Sequence, residues 1–417
     1  ERAVQTEGAS LLQGLENLVE DLEANDGDLL VRLADESAFE LGKNIATTPG
    51  EVVYRNQMME LIQYAPATDQ VHELPIVLFP PWINKFYILD LKEKNSLIKW
   101  ITDQGYTLFV VSWVNPDESF AETGHEDYIE DGNLTAIREA KAICATEQVT
   151  AVGYCIAGTT LSLTLALMKK RGDASVRSAT LFTTLTDFSD QGEFTPFLQD
   201  DFIDGLEDEV KAEGILRSRI MARTFSFLRS KDLVYGPAIR SYMLGQTPPA
   251  FDLLYWNGDG ANLPGKMAMQ YLRGICQDNG FAEGKLLLCG ERLDLADVDV
   301  PLMAIACETD HIAAWADCFR CVQKMGSEDK SFVLSQSGHI AGIVNPPSKG
   351  KYGHNTNPNW DIQADAWAAD AEFHEGSWWP TWGAWLAPRS GDLVLARQPG
   401  FGSHPSLCPA PGQYVRA

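Results

Sequence analysis

The segment Gly153-Tyr154-Cys155-Ile156-Ala157-Gly158 is where residue type and spacing in this 417-residue sequence point most directly to chemistry. The run VTAVGYC (149–155) reads as a buried strand, and TTLSLTLALMKKRG (159–172) as a helix stopped by Gly172. Cys155 therefore falls on a strand-to-helix turn, the place of a nucleophile elbow. Such a turn is sharp and strained and needs small neighbours, which Gly153, Ala157 and Gly158 supply. The helix start turns backbone N–H groups toward the sulfur, which favours a thiolate and offers a seat for an oxyanion. Glycine-rich turns are common and cysteine is often merely buried, so the reading depends on partners further along.

Those partners are an acid and a histidine at later strand ends. Asp310 closes VPLMAIACETD (300–310), and His339 closes SFVLSQSGH (331–339), where Ser337 and Gly338 leave the loop free to turn the imidazole inward. Nucleophile, then acid, then histidine is the chain order of the α/β-hydrolase fold. Asp187 also follows a strand and is the rival acid; Asp310 is preferred because its strand directly precedes the one that delivers His339. His311, beside Asp310, reads as a supporting or structural residue. His72, His125, His354, His374 and His404 lack a strand-end context and read as surface or structural. An oxyanion needs two donors. One is the backbone N–H of Ile156. The other comes from the loop Pro80-Pro81-Trp82-Ile83-Asn84, with Ile83 first and Trp82 or Asn84 as alternatives. A cysteine suits thioester substrates, because thioester-to-thioester transfer keeps the acyl group activated; this points to acyl-CoA.

The elements that must position these residues alternate between buried strands and helices. Residues 74–81, 107–113, 149–155 and 176–187 read as strands, and 96–106, 128–148 and 159–172 as helices. That alternation implies an α/β-hydrolase fold: a mostly parallel central sheet flanked by helices. It stops at 188–297, an aromatic- and glycine-rich stretch that reads as an inserted cap, or lid, and resumes at 298–417. Residues 74–187 would then be the first part of the core, carrying the elbow, and 298–417 the second, carrying Asp310, His339 and the last helices. Residues 1–73 form a lead-in: an amphipathic helix over 9–24 packed on the body, then a strand running into another amphipathic stretch over 51–64. Trp360, Trp367, Trp378, Trp379, Trp382 and Trp385 read as packing for the final helices.

Composition excludes some functions. With 33 Lys and Arg against 58 Asp and Glu, the formal charge of −25 argues against a nucleic-acid binder, which needs a basic face. The eight cysteines sit mostly in apolar surroundings and read as reduced thiols of a cytoplasmic protein; Cys318-Phe-Arg-Cys321 reads as a helix coincidence. No His, Asp and Glu set has metal-ligand spacing, no signal peptide is apparent, and no apolar run is long enough to span a membrane.

Longer segments narrow the reading. PPWINKFYILDL (80–91), VSWVNPD (111–117), GYCIAGTT (153–160), TFSFLR (224–229), FDLLYWNGDGANLPG (251–265), SGHIAGIVNPP (338–347) and GSWWPTW (376–382) together resemble the poly(3-hydroxyalkanoate) synthases, above all class I, the bacterial enzymes that make polyhydroxybutyrate. The resemblance spans nearly the whole chain. It implies an acyltransferase that polymerises (R)-3-hydroxyacyl-CoA, foremost 3-hydroxybutyryl-CoA, with release of CoA and no cofactor. It makes Cys155 the acylated nucleophile and His339 the base that forms its thiolate. Asp310 would orient or charge-balance His339, or help to deprotonate the 3-hydroxyl of the incoming unit. It further implies a homodimer at the surface of cytoplasmic polyester granules, granule-associated proteins as partners, and a cap that moves to admit substrate and release polymer. Two departures stand out. Ala157-Gly158 replaces the family's Gly-Gly, which is tolerable if φ stays negative. Class I chains also carry a further N-terminal domain, and this sequence begins near its end, so a catalytic domain is expected. The rival reading is a cysteine hydrolase of the same fold: a thioesterase, a dienelactone hydrolase or a polyester depolymerase. Dienelactone hydrolases are much shorter and lack such a cap. A binding protein on this scaffold would commonly have lost one of the three residues.

Overall fold

The computed structural model describes residues 1–190, 192–402 and 404–417, without the side chains at 193 and 194. The chain enters its sheet through an antiparallel hairpin, β1 (Gly50–Arg55) and β2 (Met59–Tyr64). The sheet centre is β3 (Ile76–Phe79), β4 (Leu108–Trp113), β5 (Val149–Tyr154), β6 (Val176–Phe182), β7 (Leu302–Cys307) and β8 (Lys330–Ser335), mutually parallel. β9 (His354–Thr356), β10 (Glu372–His374) and β11 (Cys408–Pro409) complete the edges in antiparallel pairing. The order across these eleven strands is β10-β9-β8-β7-β6-β5-β3-β4-β2-β1-β11. Both faces of the centre are covered, which is why its strands read as unbroken apolar runs.

The helices that matter for the site are α1 (Ala9–Ala24), α2 (Thr135–Cys144), α3 (Ile156–Arg171), α4 (Asp200–Glu213), α5 (Ser218–Leu228), α6 (Trp315–Lys324) and α7 (Trp379–Leu386). α2, α3 and α6 pack on one face of the sheet, and α7 with the segment 86–101 on the other, giving two buried cores. Between β6 and β7 the chain leaves the sheet and builds α4, α5 and shorter helical pieces. This insertion is tied to the loop after β3. The Ala261 N–H donates to the Ile83 carbonyl at 2.9 Å, the Trp256 indole to the Lys85 carbonyl at 2.7 Å, and the Tyr87 hydroxyl to Asp259 at 2.6 Å.

Two local expectations change. The amphipathic stretch expected within 51–64 is instead the strand β2, whose residues are all buried. Its polar positions mislead by their spacing. Glu60 is buried, taking hydrogen bonds from Arg55 and from the N–H groups of Gln413 and Tyr414, while the Gln63 amide donates to Arg397 O. The helix α1 forms as expected but presents the opposite face. It buries Ser10, Gly14, Asn17 and Asp21, and leaves Leu11, Leu12, Leu15 and Val19 exposed. A side chain at Gly14 would collide with the Tyr242 backbone, so only glycine permits this approach. Asn17 donates to the carbonyls of Ser241 and Gln246, and Asp21 accepts from the Tyr242 hydroxyl at 2.7 Å.

Candidate active site

Cys155 sits between β5 and α3 with φ 55° and ψ −128°, a backbone region that costs a non-glycine residue conformational energy. The packing explains its small neighbours. A Cβ on Gly153 would lie 2.7 Å from the Gly158 Cα, and one on Gly158 would strike the Thr184 side chain. Ala157 lies in the first turn of α3, its methyl buried in the core, so the departure from Gly-Gly is accommodated. The turn is pinned by the Cys155 N–H to Phe182 O at 2.8 Å and the Gly158 N–H to Cys155 O at 2.9 Å.

Asp310 and His339 meet beside this turn. His339 Nδ1 lies 2.6 Å from Asp310 Oδ2, and both side chains are almost wholly buried. The second oxygen, Oδ1, accepts the N–H groups of Ile312 at 2.8 Å and Ala313 at 3.0 Å. Burial opposes the charged imidazole, but the Asp310 carboxylate, hydrogen-bonded to the ring, and the Cys155 sulfur outweigh it and push His339 up to about 10. With Nδ1 held by Asp310, Nε2 is the nitrogen left for Cys155. The tryptophan cluster supports this arrangement. The Trp378 and Trp379 indoles donate to the carbonyls of Gly342 and Ile343, in the loop that follows His339, at 2.8 and 2.9 Å. The role of Tyr154 was not apparent in the sequence: its ring lies 5.8 Å from that of His339 at 25°, and its hydroxyl donates to the His339 carbonyl at 3.2 Å.

Asp187, the rival acid, is elsewhere engaged. It accepts from Lys324 at 2.7 Å and Asn279 at 2.8 Å. Burial would raise its carboxyl, but Lys324, Asn279 and Ser189 together hold it well below the usual carboxylate range.

Two cavities meet at Cys155. The first, about 320 Å³, is apolar and lies under the insertion; Ile83, Ile156, Phe225, Tyr271 and Asp310 are among its walls. The second, about 340 Å³, reaches His339 and is bounded by Ile83, Asn84, Arg229 and Ser337 among others. His311 lines both. Ile156 follows Cys155 in the chain, Ile83 lines both cavities together with Cys155, and Asn84 lies in the second. Trp82 lines neither cavity: its indole is turned into the core and donates to Thr160 Oγ1 at 3.1 Å. His125 is structural and wholly buried, 3.0 Å from the same hydroxyl, and burial pushes its imidazole down to about 4.

Cys318 and Cys321 both lie on α6, and Cys321 accepts the N–H groups of Thr186 and Asp187. All eight cysteines are free. Among the described residues no group of three or more His, Cys, Asp or Glu could hold a metal ion, and no helix is long and apolar enough to cross a membrane.

The sheet, the strained turn at Cys155 and the Asp310–His339 contact define an α/β-hydrolase-fold protein. Residues 75–346 match the family described as alpha/beta hydrolase fold, and residues 1–101 match the one described as poly-beta-hydroxybutyrate polymerase (PhaC) N-terminus. The poly(3-hydroxyalkanoate) polymerase of Methylorubrum extorquens is 45% identical over 410 residues, covering 98% of this chain and 68% of the relative. The polymerase subunit PhaC of Cupriavidus necator is 41% identical over 422 residues, covering 99% and 71%. The chain belongs to the poly(3-hydroxyalkanoate) polymerase family, whose members are acyltransferases. In fold it is similar to the monoglyceride lipase of Saccharomyces cerevisiae, with a TM-score of 0.50, 12% identity, and coverage of 85% of this chain and 100% of the lipase.

Proposed function

We propose that this enzyme polymerises (R)-3-hydroxyacyl-CoA, 3-hydroxybutyryl-CoA foremost, through a thioester on Cys155. The observation that carries this reading is the buried His339 imidazole beside Cys155, its Nδ1 held 2.6 Å from the Asp310 carboxylate and its charged form favoured by that carboxylate and by the sulfur. With Asp310 favouring the protonated ring, His339 takes the thiol proton. The thiolate attacks the acyl-CoA carbonyl. The N–H groups of Ile156 and Ile83 receive the developing oxyanion. Collapse breaks the C–S bond to CoA, whose thiolate takes a proton from His339. The 3-hydroxyl of a further unit then attacks the Cys155 thioester, His339 accepts its proton, and the lengthened acyl-CoA returns its acyl group to the sulfur.

Asp310 acts by orienting His339 and balancing its charge. Its Oδ2 faces Nδ1 and its Oδ1 takes two backbone N–H groups, so both oxygens are already engaged, which supports this role over direct contact with the substrate hydroxyl. The insertion over Cys155 is the cap, and it opens to admit acyl-CoA. A polyester too apolar for water, held on Cys155, keeps the enzyme at the granule surface. The test mixes the protein with (R)-3-hydroxybutyryl-CoA and follows free thiol and turbidity. Thiol release with insoluble polyester, both absent in Cys155→Ala, is expected; soluble hydroxy acid in place of polyester would make the enzyme a hydrolase.

A further inference from the structure

Thr183 combines two features that its neighbours do not share. It is a β-branched residue at φ 42°, where such side chains are genuine outliers. Its side-chain hydroxyl is buried, the residue being 1% exposed, and has no hydrogen-bond partner among the described residues. Strain and an unsatisfied buried hydroxyl both oppose folding, and their coincidence at one residue is the kind of local cost that functional sites carry.

The location gives these features meaning. Tyr154 on β5 and Phe182 on β6 are register partners, so Cys155 and Thr183 each follow directly after that pair, at the same end of the sheet. The next residue, Thr184, donates its hydroxyl to the Cys155 carbonyl at 3.3 Å. Thr183 itself is fixed by its N–H to Ile305 O at 2.7 Å, and it lines the apolar cavity together with Cys155. The other threonine hydroxyls of that cavity are occupied: Thr159 donates to Leu185 O at 2.7 Å and Thr224 to Ile220 O at 3.0 Å. Of the three threonines in these apolar walls, Thr183 is the one whose hydroxyl has no partner among the described residues.

We propose that Thr183 Oγ1 hydrogen-bonds the 3-hydroxyl of the acyl group as it is carried onto Cys155, and so selects 3-hydroxyacyl over plain acyl thioesters. The inference rests on the reading of Cys155 as the acylated residue. In a 3-hydroxyacyl thioester that hydroxyl is two carbons from the carbonyl under attack, close enough for a residue beside the nucleophile to meet it. A hydroxyl both donates and accepts, so it satisfies Thr183 where a methylene leaves it unpaired. Discrimination by an otherwise unpaired buried group is stronger than discrimination by shape alone.

The test measures the rate at which Cys155 is acylated by (R)-3-hydroxybutyryl-CoA and by butyryl-CoA, using rapid quenching and intact mass. The wild-type protein should prefer the hydroxyacyl substrate. Thr183→Val should slow that substrate about five- to tenfold, leave butyryl-CoA unchanged, and be rescued by Thr183→Ser. Should the valine variant fold poorly, Thr183→Gly removes the hydroxyl while relieving the backbone strain and should show the same selective loss. Equal slowing of both substrates, or of neither, overturns the assignment of Thr183 alone. A wild-type protein that takes neither acyl group onto Cys155 overturns the reading of the nucleophile, and the assignment with it.

Discussion

Replacing Asp310 by asparagine should disable acylation through the tautomer of His339, and the hydrogen bonds around the carboxylate show why. The N–H groups of Ile312 and Ala313, at 2.8 and 3.0 Å, hold Oδ1 and would hold the asparagine carbonyl in its place. The amide NH2 would then stand where Oδ2 now stands, 2.6 Å from His339 Nδ1. Two donors cannot face each other, so Nδ1 must become the acceptor and Nε2 must carry the proton. An Nε2–H imidazole cannot take the proton of Cys155. The substitution also removes the carboxylate that, with the sulfur, lifts His339 to about 10 against the opposing effect of burial. A wrong tautomer in a catalytic triad costs about 10⁴-fold, which is ~5 kcal/mol of barrier. The assay is single-turnover release of CoA from (R)-3-hydroxybutyryl-CoA, with thermal unfolding measured beside it. A folded Asp310→Asn protein that acylates within about tenfold of the wild type would refute this account of the triad.

Other perturbations separate neighbouring roles. Asp187→Asn should leave the acylation rate within a few fold of wild type while lowering stability, since Asp187 serves Lys324 and Asn279 and not His339; parallel rate and denaturation measurements decide. Gly158→Ala should lower the melting temperature and abolish acylation, because the added methyl collides with Thr184 behind the nucleophile turn, at a cost of about 1–3 kcal/mol or more. His125 titrates at about 4 in the folded chain because burial disfavours its charge. A depressed value means stability that is complete above about 6.5 and lost as the pH falls toward 4. Between pH 7 and pH 5 the wild type should therefore lose about 2 kcal/mol more than His125→Gln in chemical denaturation.

Much of the architecture was legible because buried parallel strands cannot hide. LFVV (108–111) and MAIA (303–306) have no polar residue to place, so both faces must be covered. The acid and the histidine were legible for the same reason, each standing just past such a run. The stretch that became β2 was misread because Glu60 and Gln63, three apart, imitate a helix face, while, apart from Arg55, the partners that let them be buried lie more than 300 residues away. The reversed face of α1 was hidden likewise, since its buried Asn17 and Asp21 are satisfied by Ser241 and Tyr242 of the insertion. Tyr154 and Thr183 draw their positions from the loop after β8 and from the β5–β6 register, neither of which leaves a local signature.

The central claim is that the acyl group is carried by Cys155. Its most direct test is to quench the enzyme within a turnover of (R)-3-hydroxybutyryl-CoA and map the modified peptide by mass spectrometry. The account predicts a hydroxybutyryl increment on the peptide containing Cys155, discharged by hydroxylamine and absent in Cys155→Ala. The same increment on another residue, or its persistence in the variant, would contradict it.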